Sequence, residues 1–158
     1  MIGLDEAAKR IVDATHRDGA ALRLLMAEIF KRPDPLNFLV DLADRLPTSC
    51  FSDLFFQNLD LVGGLEVPVH EEFFRLTEGH EIARYAVTTF YAAVARIDID
   101  AHRVIDTPVN IWVPDESGSF EEIEGDDRVL AIWEKWSGVT ADSVKSFRKR
   151  MASAFASQ

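Results

Sequence analysis

Apolar residues recur at helical spacing through the first 63 residues. Ala7, Ala8, Ile11, Val12 and Thr15 share one stripe, and Leu22, Leu25, Met26, Ile29 and Phe30 share the next. The spacing predicts two amphipathic helices, or one broken at Gly19. Pro33-Asp34-Pro35 stops and restarts the pattern. Asp34 is expected as an N-cap acceptor and Pro35 as the first helical residue, where its missing N–H costs nothing. Leu36, Leu39, Val40 and Ala43 supply the buried face of that helix, and Pro47 ends it. Leu54, Phe55, Asn58, Leu59 and Val62 predict another short helix closed by Gly63-Gly64.

The period then changes. Leu65, Val67 and Val69 alternate with Glu66, Pro68 and His70, which predicts a strand that Pro68 confines to a sheet edge. Residues 71–76 carry no clear period. Over 81–94, Ile82, Tyr85, Ala86, Thr89, Phe90 and Ala93 form a helical stripe that competes with the β-branched and aromatic run Val87-Thr88-Thr89-Phe90-Tyr91. Helix is the expectation. Ile97, Ile99 and Ala101 alternate with Asp98, Asp100 and His102, and Val109, Ile111 and Val113 alternate with Asn110 and Trp112, so both stretches are predicted strands. The turn-rich segment 114–119, followed by Phe120 and Ile123, makes residues 109–124 a predicted hairpin.

Val129, Leu130, Ile132, Trp133 and Trp136 form an apolar helical face ended by Gly138. Thr140 is expected to cap a last helix carrying Val144, Phe147, Met151 and Phe155. The predicted fold class is α+β: an N-terminal helical layer and two C-terminal helices packed on a small antiparallel sheet. At 158 residues, a single domain spanning 1–158 is expected.

Charge narrows the function classes. The chain has 27 acidic and 17 basic residues, a formal net charge of -10, and such a surface repels a phosphate backbone. Nucleic acid is therefore not an expected partner. The lone Cys50 cannot form an internal disulfide or a cysteine-based zinc site. Asp5, Glu6, Lys9, Arg10 and Asp13 stand where a secretory signal needs an apolar run, and the most apolar window, 82–97, is interrupted by Arg84, Thr88, Thr89 and Arg96. A cytoplasmic protein with no membrane partner is expected.

The excess charge is concentrated. Residues 98–127 hold ten carboxylates against Arg103 alone. Within this stretch Asp115, Glu116, Glu121, Glu122 and Glu124 lie on the predicted hairpin with Trp112, a residue type enriched in binding hot spots. These six are the candidate partner-binding residues. A clustered acidic surface steers a basic protein and raises its association rate; the plain alternative is a solvated hairpin that guards a sheet edge.

Other constellations carry bland readings beside the sharp ones. On a strand, Asp98, Asp100 and His102 would share one face and could hold a cation or run acid–base chemistry; a solvent-facing strand presents the same residues. His70-Glu71-Glu72 and His80-Glu81 match no converging register and read as surface or core-rim positions. Trp133 and Trp136 read as core anchors. Lys145, Arg148, Lys149 and Arg150 read as charges complementing a helix C-terminus. No nucleophile elbow, Cys-x-x-Cys pair or glycine-rich phosphate loop is present, so no catalytic, metal or cofactor residue is assigned. Size and charge together suggest an acidic protein-binding module, of the inhibitor or immunity type, that neutralises a basic partner. The alternative is a small enzyme or ligand-binding domain with a pocket between sheet and helices, using Asp98, Asp100 or His102.

Overall fold

The computed structural model describes the backbone at residues 1–65, 67–105, 111–114, 117, 120–123 and 126–156; at 67, 68, 111–114, 120–123, 126 and 154–156 the description stops at the backbone. The described chain is a helix-dominated α+β structure. Its helices are α1 (Leu4–Ala14), α2 (Gly19–Phe30), α3 (Pro35–Ala43), α4 (Thr48–Phe56), α5 (Leu59–Gly63), α6 (Val67–Leu76), α7 (Glu81–Val94), α8 (Asp126–Ser137) and α9 (Val144–Ala156). Two antiparallel pairings complete it: β1 (Ile97–Asp98) with β2 (Arg103–Val104), and β3 (Ile111–Pro114) with β4 (Phe120–Ile123).

α7 organises the core. It packs against α3, α4, α5, α8, α9 and β1 and buries Ala83, Tyr85, Ala86, Val87, Thr88, Phe90, Tyr91 and Ala92. A helix enclosed on most sides is apolar around most of its circumference. That enclosure explains why residues 87–91 also read as a strand. Phe55 stands at the centre of edge-to-face contacts with Phe51, Phe73 and Phe90, with ring centroids 5.1 Å, 5.6 Å and 5.3 Å away, the geometry favoured by aromatic quadrupoles. Asn58, at the break between α4 and α5, is buried and donates its amide to the Leu22 and Leu54 carbonyls at 3.3 Å and 2.8 Å. It thereby ties α2 to the α4–α5 corner.

Several local expectations are corrected. Residues 67–76 form helix α6, not an edge strand. Pro68 is its second residue, and the first turn is where a helix tolerates a missing N–H. The helix at Pro35 begins where expected, but Asp34 makes no side-chain cap; its carboxylate accepts from Arg32 Nε at 3.0 Å. The last helix starts at Val144, because residues 140–143 form a separate turn in which the Ser143 N–H and hydroxyl both bond the Thr140 carbonyl. α8 ends as expected: Gly138 has φ +74°, and its N–H donates to the Glu134 carbonyl at 2.8 Å, a left-handed position that glycine adopts without steric cost.

Candidate functional site

β3 and β4 form the hairpin expected near residues 109–124, with register partners Trp112↔Glu122, Val113↔Glu121 and Pro114↔Phe120. Of the six candidate partner-binding residues, Trp112, Glu121 and Glu122 are placed by backbone alone, and Asp115, Glu116 and Glu124 lie outside the described residues. β3 packs against α6.

The Asp98, Asp100 and His102 constellation is taken apart by the fold. β1 is only two residues long, and Asp98 Oδ1 accepts from the Ala101 N–H at 3.0 Å, so the chain reverses at once. His102 sits in the left-handed region at φ +50°. The three side chains therefore have different partners instead of one strand face. Asp100 receives two bonds from Arg148, each 2.7 Å, and these hold its carboxyl below the usual carboxylate range. His102 bonds Glu134 through Nε2, while its Nδ1 is buried with no hydrogen-bond partner among the described residues. One turn is thus pinned to α8 and α9 together. Among the described residues, no three His, Cys, Asp or Glu side chains are arranged to hold a metal ion.

Arg148 also corrects the reading of the basic cluster. Lys145, Arg148, Lys149 and Arg150 lie in the first half of α9, and its last turn holds no basic residue. They do not complement a C-terminal dipole. Arg148 serves Asp100, and Arg150 donates from Nε to the Tyr85 hydroxyl at 3.1 Å.

The histidines have structural partners. His80 precedes α7 and accepts the Ala83 N–H at Nδ1, 3.4 Å, while Nε2 donates to Asp44 at 3.0 Å. His70 is buried, beyond the rim position expected for it. Its ring packs against Tyr91 and Trp136, and Nε2 donates to the Val62 carbonyl at 3.0 Å. Burial pushes the imidazole below the ordinary histidine value of 6.5, and the Val62 bond only partly offsets this. Below that value the unfolded chain takes up a proton that the folded chain resists, so acid favours unfolding. The His70 contribution is complete above pH 6.5 and declines as pH falls. Urea unfolding from neutral pH downward should show this loss, with a slope of at most about 1.4 kcal/mol per pH unit from one proton. His70→Gln should flatten that segment; an unchanged slope in the variant would assign the acid sensitivity elsewhere.

Sequence spacing does not reveal a cleft of ≈ 510 Å³ where the turn before α7, the end of α8 and the first turns of α9 meet. Tyr85, Val139 and Phe147 give it a buried apolar floor. Tyr85 and Phe147 meet edge to face at 5.4 Å. Arg84, Arg150, Glu78 and Glu81 supply its charge. Arg84 donates to the Phe74 carbonyl at 2.5 Å, the Thr77 hydroxyl at 3.2 Å and the Trp136 carbonyl at 2.8 Å. All three acceptors are neutral. Burial accordingly pushes its guanidinium below the usual arginine range, with Glu78 a partial offset. The signal that could have marked Arg84 is a charge within the mainly apolar run that follows Glu81 in α7.

No helix among the described residues is long and apolar enough to cross a membrane. No family model matches the chain, and comparison with curated proteins and with solved structures finds no match to either.

Proposed function

We propose that this chain is a single-domain cytoplasmic protein that binds and neutralises a basic protein through its acidic β3–β4 hairpin, in the manner of an inhibitor or immunity-type protein, and that it engages neither nucleic acid nor membrane. In this reading the N-terminal helical layer and the two C-terminal helices are the frame on which the short antiparallel pairings sit.

Segregation of charge is the observation that supports it. Residues 98–127 hold ten of the 27 acids and one of the 17 basic residues, so elsewhere the two signs nearly cancel. The helical frame also pairs its charges locally. Arg45 meets Asp5 at 2.5 Å, Arg10 meets Glu28 at 2.9 Å, Arg23 meets Asp60 at 2.7 Å, and Arg75 meets Glu72. A frame that cancels its own charge leaves the field of the molecule to the acidic segment, and such a field raises encounter rates with a cation. The Asp100–Arg148 and His102–Glu134 contacts anchor the turn that precedes the hairpin in sequence.

The test is affinity capture on the immobilised chain, followed by association kinetics of the captured protein at two salt concentrations. A strongly basic protein released by salt is expected. Changing Glu121, Glu122 and Glu124 together to Gln should slow association and flatten its salt dependence without altering the thermal melt, since rim charges act mainly on the on-rate. Trp112→Ala should instead speed dissociation, where most affinity differences within one interface reside. A neutral or acidic captured protein, or an on-rate indifferent to the triple change, would remove the steering role.

A further inference from the structure

We propose that the cleft between α7 and α9 binds the carboxylate of a small organic acid, with Arg150 and Arg84 facing the anion and the Tyr85–Phe147 floor against its apolar body. This is independent of the acidic hairpin and of any protein partner.

The protein holds its arginines in two ways. Arg10, Arg23, Arg32, Arg45, Arg75 and Arg148 each hold a carboxylate within hydrogen-bonding distance. Arg84 and Arg150 are held differently. Arg84 is fixed by two carbonyls and a hydroxyl, and Arg150 by a phenol, with Glu81 3.9 Å from its Nε. Both guanidinium groups are therefore oriented by neutral oxygens: among the described residues Arg84 bonds only neutral acceptors, and Arg150 reaches Glu81 by one long ion pair and through the Tyr85 hydroxyl, which donates to Glu81 at 3.2 Å. Both line the same cleft. A guanidinium positioned in advance loses less freedom when it meets a carboxylate, and its planar fork suits that anion's two oxygens.

Donor capacity points the same way. Arg150 spends Nε on Tyr85, and neither terminal nitrogen has a hydrogen-bond partner among the described residues. Arg84 spends its terminal nitrogens, and its Nε has no such partner among them. Ser143 and Ser146 add hydroxyls to the lining. Glu81 competes for Arg150, but an exposed pair at that separation is weak, and a ligand carboxylate in direct contact with the terminal nitrogens displaces little.

The floor selects the rest of the ligand. Tyr85, Val139 and Phe147 are almost fully buried yet line the cleft. The walls around this floor are mostly polar and charged, so the apolar contact is confined to the base of the cleft, and ≈ 510 Å³ lies within the size range of small-molecule sites. An inorganic anion would leave that floor uncovered.

Titration of the ¹⁵N-labelled full chain with benzoate, phenylacetate and hexanoate tests this directly. At least one acid should shift the amide signals of Gly138, Val139, Ser146 and Phe147 saturably and raise the melting temperature. Benzylamine, which keeps the ring and reverses the charge, and inorganic phosphate, which keeps the charge without an apolar body, should bind more weakly. Arg150→Gln should weaken the acid about tenfold or more, the loss expected for one charge-assisted hydrogen bond, with Arg150→Lys between the two. Arg150 is 60% exposed, so these variants should keep the wild-type melt. Saturable binding by none of the three acids, binding as tight for benzylamine or phosphate, or binding indifferent to Arg150→Gln would each overturn the proposal.

Discussion

Trp133→Ala should lower unfolding stability by about 3–5 kcal/mol, the range for deleting a fully buried large aromatic and leaving a cavity. Trp133 is 2% exposed in α8. Its Nε1 donates to the Thr88 carbonyl of α7 at 3.3 Å, and its ring lies 6.3 Å from that of His102. The side chain therefore joins the central helix, α8 and the β1–β2 turn at one point. Domains of this size are stable by only about 5–15 kcal/mol, so the loss is a large fraction of the total. The long indole bond adds little; most of the effect is lost burial. Trp133→Phe should recover part of it, and Trp136→Ala should cost less because Trp136 is only half-buried. Denaturant midpoints for the three variants check the ordering, and equal losses at Trp133 and Trp136 would contradict it.

Arg84→Met is expected to cost about 2–3 kcal/mol, because methionine keeps the apolar stem but abandons three acceptors of a charged donor. The Phe74 carbonyl and Thr77 hydroxyl lie at the end of α6, and the Trp136 carbonyl lies in the last turn of α8. Helix C-termini leave carbonyls unpaired and carry partial negative charge. One guanidinium thus serves two helix ends. The half-buried cation is itself costly to desolvate, which is why the expected loss falls below the sum of three charged hydrogen bonds. Arg84→Lys should not rescue stability, since a single ammonium cannot reproduce the planar fork that reaches three separated oxygens. Hydrogen exchange should quicken at the ends of α6 and α8 before it does in α1–α3. Wild-type stability in the lysine variant would show that charge, not geometry, is what Arg84 supplies.

These two residues mark where reading the chain succeeds and where it stops. Trp133 declares itself through spacing: with Val129 and Leu130 it falls on an apolar face, and such a face must be buried somewhere. Arg84 does not. It interrupts the apolar run of α7, and its purpose depends on carbonyls 10 and 52 positions away in the chain. The same contrast separates the two halves of the candidate chemistry. The acidic segment is a matter of counting along the sequence, whereas the Asp98, Asp100 and His102 triad dissolves because the Asp98 side chain closes a turn and Arg148 and Glu134 claim the other two.

Information carried over a few residues was thus available from the chain alone. It includes the helical periods of α1–α3, the full extent of α7, the left-handed stop at Gly138, the β3–β4 hairpin and the location of the negative charge, whereas the one short helix expected around residues 54–62 is two, α4 and α5, broken at Asn58. Helix and hairpin formation rest on neighbours one to four positions apart, so their signals survive without knowledge of the fold. Three-dimensional packing decided the remainder. The alternation at 65–69 is a strand signal locally, but Val62 and Tyr91 surround His70 and the segment is helical from Val67. The basic face of α9 became a partner for Asp100 and a wall of a cleft, instead of a dipole complement, because α9 docks its first half beside α7 and the β1–β2 turn. Such roles are set by groups 48 and 65 residues apart, and no local period encodes which distant oxygen a guanidinium will meet.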